Sequence, residues 1–191
     1  MALVNDWLHE IQCKVVYFGA GSAGKTSNVT HIYAHAPEDA RGEVVVVPVD
    51  ADPACSLAFL PLDLGVVGGY QVRFHLFTVP GLPVGEQGRA AILKGADGVV
   101  FVADSARGRF HDNLLCQYEM LQILGRCRAG LDALPLVIQY NKRDLPDAVP
   151  VPILNARLNP TAAPSFEAVA VTGSGVFATL QAISQLVLDR L

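Results

Sequence analysis

Residues Lys14 to Phe18, Gln71 to Val79, Gly98 to Ala103, Leu136 to Tyr140 and Ala168 to Val171 are short β-branched runs, mostly apolar at every position instead of alternating with polar ones. Strands of that composition are buried on both faces. Between them lie segments of helical length, at Lys25 to Ala36, Gly85 to Lys94, Phe110 to Gly125 and Val151 to Leu158. Such alternation predicts an α/β fold of three layers, a largely parallel sheet with helices on both faces. One connection breaks the rule. Gly68-Gly69 separates Leu60 to Val67 from Tyr70 to Val79 with no room for a helix, so one antiparallel hairpin is expected at a sheet edge. A last helix from about Gly175 places Val176, Leu180, Ile183, Val187 and Leu191 on one face, against the sheet.

The pattern accommodates a single domain, which 191 residues also favour. Residues Ala168 to Leu188 carry no charge, but Thr172, Gly173, Gly175, Gln181, Ser184 and Gln185 interrupt them, so a buried strand and an amphipathic helix explain the run better than a membrane span. A formal charge of −4 and 51% hydrophobic residues supply no basic stripe for a nucleic-acid backbone. Cys13, Cys55, Cys116 and Cys127 lie far apart, as free thiols in a reducing cytoplasm would. The C-terminal residues include no prenylation cysteine and Ala2 excludes myristoylation at a second-position glycine. A cytoplasmic protein without lipid anchor or membrane insertion is expected.

Gly19-Ala20-Gly21-Ser22-Ala23-Gly24-Lys25-Thr26 fits G-x-x-x-x-G-K-[ST], directly after an apolar strand and before a helical segment. The glycines let successive N–H groups point inward, and the next helix adds its positive end. Lys25 is expected on the β- and γ-phosphates and the Thr26 hydroxyl on Mg²⁺. A chance glycine-rich turn is the competing account, made weak by the strand and helix around it.

A phosphate loop alone fits an ATPase, a kinase or a GTPase. Asn141-Lys142-Arg143-Asp144 decides between them, because it follows a buried strand at the carboxyl end, where open α/β sheets bind ligands. The Asp144 carboxylate can accept from guanine N1–H and N2–H₂ together, a donor pair adenine lacks. Asn141 is expected to hold the loop and base edge, and the Lys142 stem to cover the ring.

With these motifs in place, the chain resembles the bacterial MglA-like family of small Ras-like GTPases through nearly its whole length. The resemblance is carried by Phe59-Leu60-Pro61-Leu62-Asp63, Arg73-Phe74-His75-Leu76, Thr78-Val79-Pro80-Gly81, Phe101-Val102-Ala103-Asp104-Ser105, Asn141 to Asp147 and Gly175-Val176-Phe177. It implies a Ras-like G domain binding GTP or GDP with Mg²⁺, a switch in motility or cell polarity, a roadblock-fold dimeric regulator and a downstream effector. It also implies that Gly81 joins the phosphate site, and that Ala170, with Val171 beside it, offers a backbone N–H to guanine O6. Thr78 stands where other Ras-like proteins carry a magnesium-linked aspartate, and threonine is typical of this group.

Two departures bear on catalysis. Leu82 occupies the place of the glutamine that orients the attacking water, and leucine cannot hydrogen-bond it. Pro53 and Ala54 match the positions of the arginine finger and the magnesium-binding threonine. Between Pro37 and Phe77 there is no threonine, and the arginines are Arg41 and Arg73. An arginine finger contributes about 10³ to 10⁵ in rate, or about 4 to 7 kcal/mol. Nucleotide binding with weak intrinsic hydrolysis is therefore expected, Ser56, Glu86 and Gln87 being the available substitutes. The rival readings are a non-cycling GTP/GDP-binding module and, remotely, a small-molecule kinase using Asp50, Asp52 or Asp104 as base.

Other residues invite lesser roles. His31 and His35 are four apart on the first helix and read as a surface pair. Trp7 with Leu3, Val4 and Leu8 reads as an apolar strand or helix covering the sheet edge. Arg107, Arg109 and His111 read as a solvated loop before the third helix.

Overall fold

A computed structural model describes residues 2–48, 56–80, 85–127 and 134–191. Its eight-stranded sheet runs β3-β4-β5-β2-β6-β7-β8, with β1 paired to β2 off this path. The strands are β1 (Leu3–Asn5), β2 (Glu10–Phe18), β3 (Val45–Pro48), β4 (Ser56–Val67), β5 (Tyr70–Thr78), β6 (Gly98–Asp104), β7 (Leu136–Asn141) and β8 (Ser165–Glu167). Strands β5, β2, β6, β7 and β8 are parallel neighbours, whereas β3–β4, β4–β5 and β1–β2 are antiparallel.

The helices are α1 (Lys25–His35), α2 (Glu86–Leu93), α3 (Phe110–Cys127), α4 (Val151–Leu158) and α5 (Val176–Leu188). Because successive strand residues point to opposite faces, β2 divides its apolar side chains between two cores. Cys13, Val15 and Tyr17 pack with Val29 and Ile32 of α1 and with Leu180, Ile183 and Val187 of α5. Val16 and Phe18 pack with Leu93 of α2, Met120 and Ile123 of α3 and Leu154 of α4. The three layers expected from the apolar runs are therefore present, with both sheet faces covered.

The β4–β5 hairpin turns at Gly68 and Gly69, whose φ of 59° and 87° suit a tight hairpin turn. Strand β3 was not anticipated, although four consecutive valines, Val44 to Val47, were a legible signal for it. Strand β8 ends at Glu167, so the expected strand at Ala168 to Val171 is instead a turn closed by a bridge between Val169 and Ser174. Ladder partners explain the difference: β7 offers Ile138 to Tyr140, and these pair with Ser165 to Glu167. The N-terminal segment is a strand that covers the edge of β2 by pairing with Glu10 to Gln12, as expected, but its apolar side chains stay in solvent: Trp7 is 96% exposed, and Leu3, Val4 and Leu8 are exposed with it. Among the described residues, no helix is long and apolar enough to cross a membrane. Cys13 and Cys116 are free and buried.

A candidate nucleotide site at the carboxyl ends of the parallel strands

The loop leaving β2 has no room for a side chain at two of its glycines. A Cβ on Gly19 would lie 2.2 Å from the Val102 carbonyl oxygen, and one on Gly24 would lie 2.1 Å from Asn141 Nδ2. At Ser22 the backbone is left-handed, with φ 59°. Alternating backbone hands of this kind make a concave anion-binding turn. Lys25, buried in the first turn of α1, donates from Nζ to the Gly19 and Ala20 carbonyls at 2.9 and 2.7 Å. The lysine thus lies across the loop that precedes it.

Asn141 ends β7 and connects the two halves of the site. Its Nδ2 donates to the Ala23 carbonyl of the phosphate loop at 2.8 Å, and its Oδ1 accepts from the Ala170 N–H at 2.9 Å. Phosphate loop, N-K-x-D loop and the turn after β8 are therefore held by one buried amide. The Ala170 N–H that the family resemblance assigns to guanine O6 is donated to Asn141, so a base oxygen would share it.

Lys142 has a left-handed backbone, φ 64°, and its Nζ pairs with Asp104 at 2.7 Å. The Asp104 carboxylate is buried and also accepts from the Ala106 N–H at 3.0 Å. It serves as an anchor for the lysine, a role that sequence reasoning did not assign. Arg143 braces the same loop from outside, through Glu167 at 2.9 Å and the Val149 carbonyl at 2.7 Å. Asp144 is exposed beyond it. Ala170 is buried and Val171 exposed. Both line a groove of about 390 Å³ with Thr26, Ser27 and Thr30. Residues of α1 and the turn that follows β8 thus share one groove.

Beneath the loop, a closed polar cluster sets the position of α1. Asn28 and Gln139 exchange two hydrogen bonds, at 2.8 and 2.9 Å; Gln139 also donates to the Thr179 hydroxyl, and Asn28 to the Gly24 carbonyl. Buried polar groups are tolerated when each finds its partner.

Three residues near the site differ from their expected roles. Arg109 is not a solvated loop residue: its Nη2 donates to the Gly21 carbonyl of the phosphate loop at 2.7 Å. Glu86 is paired with Arg126 of α3, which engages the carboxylate proposed as a substitute near the attacking water. The buried Thr78 hydroxyl accepts from the Ala58 N–H at 2.7 Å, so this threonine joins β5 to β4.

The two arginines of the Pro37 to Phe77 segment have their partners away from the phosphate loop. Arg41 lies over the Tyr33 ring, 4.4 Å from its centroid, and Arg73 pairs with Glu10 at 2.8 Å, at the amino end of β2. His31 and His35 stack face to face, their ring centroids 4.0 Å apart. Asp50, Asp52, Pro53, Ala54, Gly81 and Leu82 lie outside the described residues, as does the Ser56 side chain.

A mostly parallel sheet with a glycine-bounded lysine loop after β2 and an asparagine-anchored loop after β7 defines the class of Ras-like P-loop domains. No family profile matches the chain. It is 44% identical to the mutual gliding-motility protein MglA of Myxococcus xanthus over 191 residues, which is all of this chain and 98% of that protein. The chain belongs to the MglA-like family of small Ras-like GTPases.

Proposed function

We propose that this protein, built as one G domain, is a guanine-nucleotide switch that binds GTP and GDP tightly and hydrolyses GTP slowly by itself. The observation that carries the reading is the Asn141 amide, which joins the phosphate loop at Ala23 to the turn at Ala170. With it, one ligand can have its phosphates in the loop and its base against the N-K-x-D turn. The glycine cradle supports the fit to phosphate, since side chains at Gly19 or Gly24 would collide with the protein itself.

Gly19, Gly21, Ser22, Ala23 and Gly24 would present the loop backbone to the phosphates, with Gly81 on the γ side, and Lys25 would neutralise them. Asn141, Lys142, Asp144, Ala170 and Val171 would hold guanine, Asp144 selecting it through the paired donors of its edge. Thr26 would hold Mg²⁺, a fit supported by its hydroxyl and its place in the first turn of α1, directly after Lys25. When bound, the ion supplies charge neutralisation of the β- and γ-phosphates.

Slow turnover is the expectation from the residues that stand at the family's glutamine and arginine positions. Leu82 offers no hydrogen bond and Pro53 no guanidinium, and Glu86 pairs with Arg126 at the surface. The name of the Myxococcus relative supports a role in motility or polarity, and a roadblock-fold regulator with a separate effector accords with the family. A cytoplasmic location accords with the free, buried Cys13 and Cys116.

The test is to denature the purified protein, identify the nucleotide released, and measure single-turnover hydrolysis. Guanine nucleotide rich in triphosphate, with turnover far below about 1 per second, is expected. Adenine nucleotide alone would refute guanine selection, and unassisted turnover at about 1 per second or faster would refute the slow-switch reading.

A further inference from the structure

Between Gly19 and Ala23 every carbonyl except that of Ser22 is held by a side chain. Lys25 takes Gly19 and Ala20, Arg109 takes Gly21 and Asn141 takes Ala23. Lys25 and Asn141 belong to the motifs of the family, whereas Arg109 belongs to neither. It precedes α3 in a short 3-10 turn, Arg107–Arg109, whose own backbone is fixed. Asn113 exchanges hydrogen bonds with the Asp104 backbone at 3.0 and 2.7 Å, and the Arg109 N–H donates to Ala106 at 2.9 Å. The guanidinium is aimed by a second partner, Asp112, with Nη1 at 2.6 Å from Oδ2. One arm of the fork therefore sits on helix α3 and the other on the phosphate loop.

A trans peptide points its carbonyl and its N–H in opposite directions. The Gly21 carbonyl is turned toward Arg109, so the N–H of the same peptide, that of Ser22, is turned away from it. Ser22 has the left-handed backbone that a residue with a Cβ adopts only when its surroundings impose it. A cation on a peptide oxygen also polarises that peptide and strengthens its N–H as a donor.

We propose that Arg109 is a positioning residue for nucleotide phosphate, which acts through the Gly21–Ser22 peptide by aiming and polarising the Ser22 N–H. The inference rests on the guanine-nucleotide reading above and adds to it a residue from outside the motifs. Loss of Arg109 would speed release of GDP and of GTP alike, since the peptide faces phosphate common to both.

The experiment measures dissociation of fluorescent GDP and of a nonhydrolysable fluorescent GTP analogue from the full chain. It also records the phosphorus NMR spectrum of bound GDP, a readout that looser packing of α3 would not move. Arg109→Ala is expected to dissociate both nucleotides about tenfold faster and to shift the β-phosphorus resonance, the effect of one charge-assisted hydrogen bond. Arg109→Gln, which keeps most of the side chain without the charge, serves if the alanine variant folds poorly, and the same direction is expected. Arg109→Lys should recover most of the retention, and Arg107→Ala, at an exposed neighbour, should change neither readout. Wild-type binding with unaltered dissociation and phosphorus spectra in the alanine and glutamine variants would overturn the role of Arg109 alone. A wild-type chain that binds no guanine nucleotide would overturn the site reading and this inference with it.

Discussion

At the carboxyl ends of β2, β6 and β7, Lys25, Asp104 and Asn141 are buried, with their side chains tied to the backbone and, for Asp104, also to Lys142, whereas at the amino ends two hairpin tips present Trp7, Leu8, Val66 and Val67 to solvent. Burying polar groups costs several kcal/mol unless each is partnered, so a fold collects them where they do something besides stabilise it. Exposed apolar side chains are common on any surface and carry no such implication singly. The contrast therefore agrees with the proposal of a ligand site at the carboxyl end of the sheet, on grounds separate from the motifs.

The largest test of that contrast is removal of the cation from the polar end. Lys25→Ala should weaken GDP binding about 100-fold or more, as expected for losing charge-assisted contacts, and calorimetry would show it. Retained affinity would mean that the buried lysine serves the loop alone. Asn141→Ala comes next. It leaves the Ala23 carbonyl and the Ala170 N–H without their partner, which should cost about 2 to 4 kcal/mol in denaturant unfolding. A loss near zero would show that the two loops hold their positions without the bridge.

A smaller effect is expected away from the loop, at Thr78. Thr78→Val keeps the shape but strands the buried Ala58 N–H, which should cost about 1 to 3 kcal/mol in stability. If the variant instead changed magnesium dependence at unaltered stability, the threonine would belong to the site and not to the sheet.

The smallest effect lies midway along β5, at His75. Burial pushes its imidazole below the usual value, with Arg73 adding to the effect and Glu10 opposing it. As pH falls past about 6.5 the unfolded chain takes up the proton first, so stability present above that pH is lost on the way down to the lower folded value. His75→Gln should flatten this acid limb in unfolding titrations between pH 7 and 5, and an unchanged slope would assign the limb to other groups.

Most of the sheet was legible because buried parallel strands leave a strong apolar signal, and α4 matches its expected bounds at both ends. The phosphate and guanine motifs were legible because their spacing is local. Less visible was the end of β8, where ladder pairing with β7, a contact distant in sequence, made the strand from Ser165 to Glu167 and not from the more apolar stretch after it. Arg109 could not be found at all from its neighbours. It follows Gly21 by 88 residues, and only the β6–α3 connection folding over the β2 loop brings them together.

The sequence by itself determined the fold class, the two nucleotide motifs and the absence of a hydrogen-bonding side chain at position 82, because each is written in residues a few positions apart. Tertiary structure decided how those motifs are joined, through Asn141, and what Thr78, Asp104 and Arg109 are bonded to. The physical reason is that a hydrogen bond depends on which backbone groups are left facing a side chain, and those are known only when the strands have taken their order.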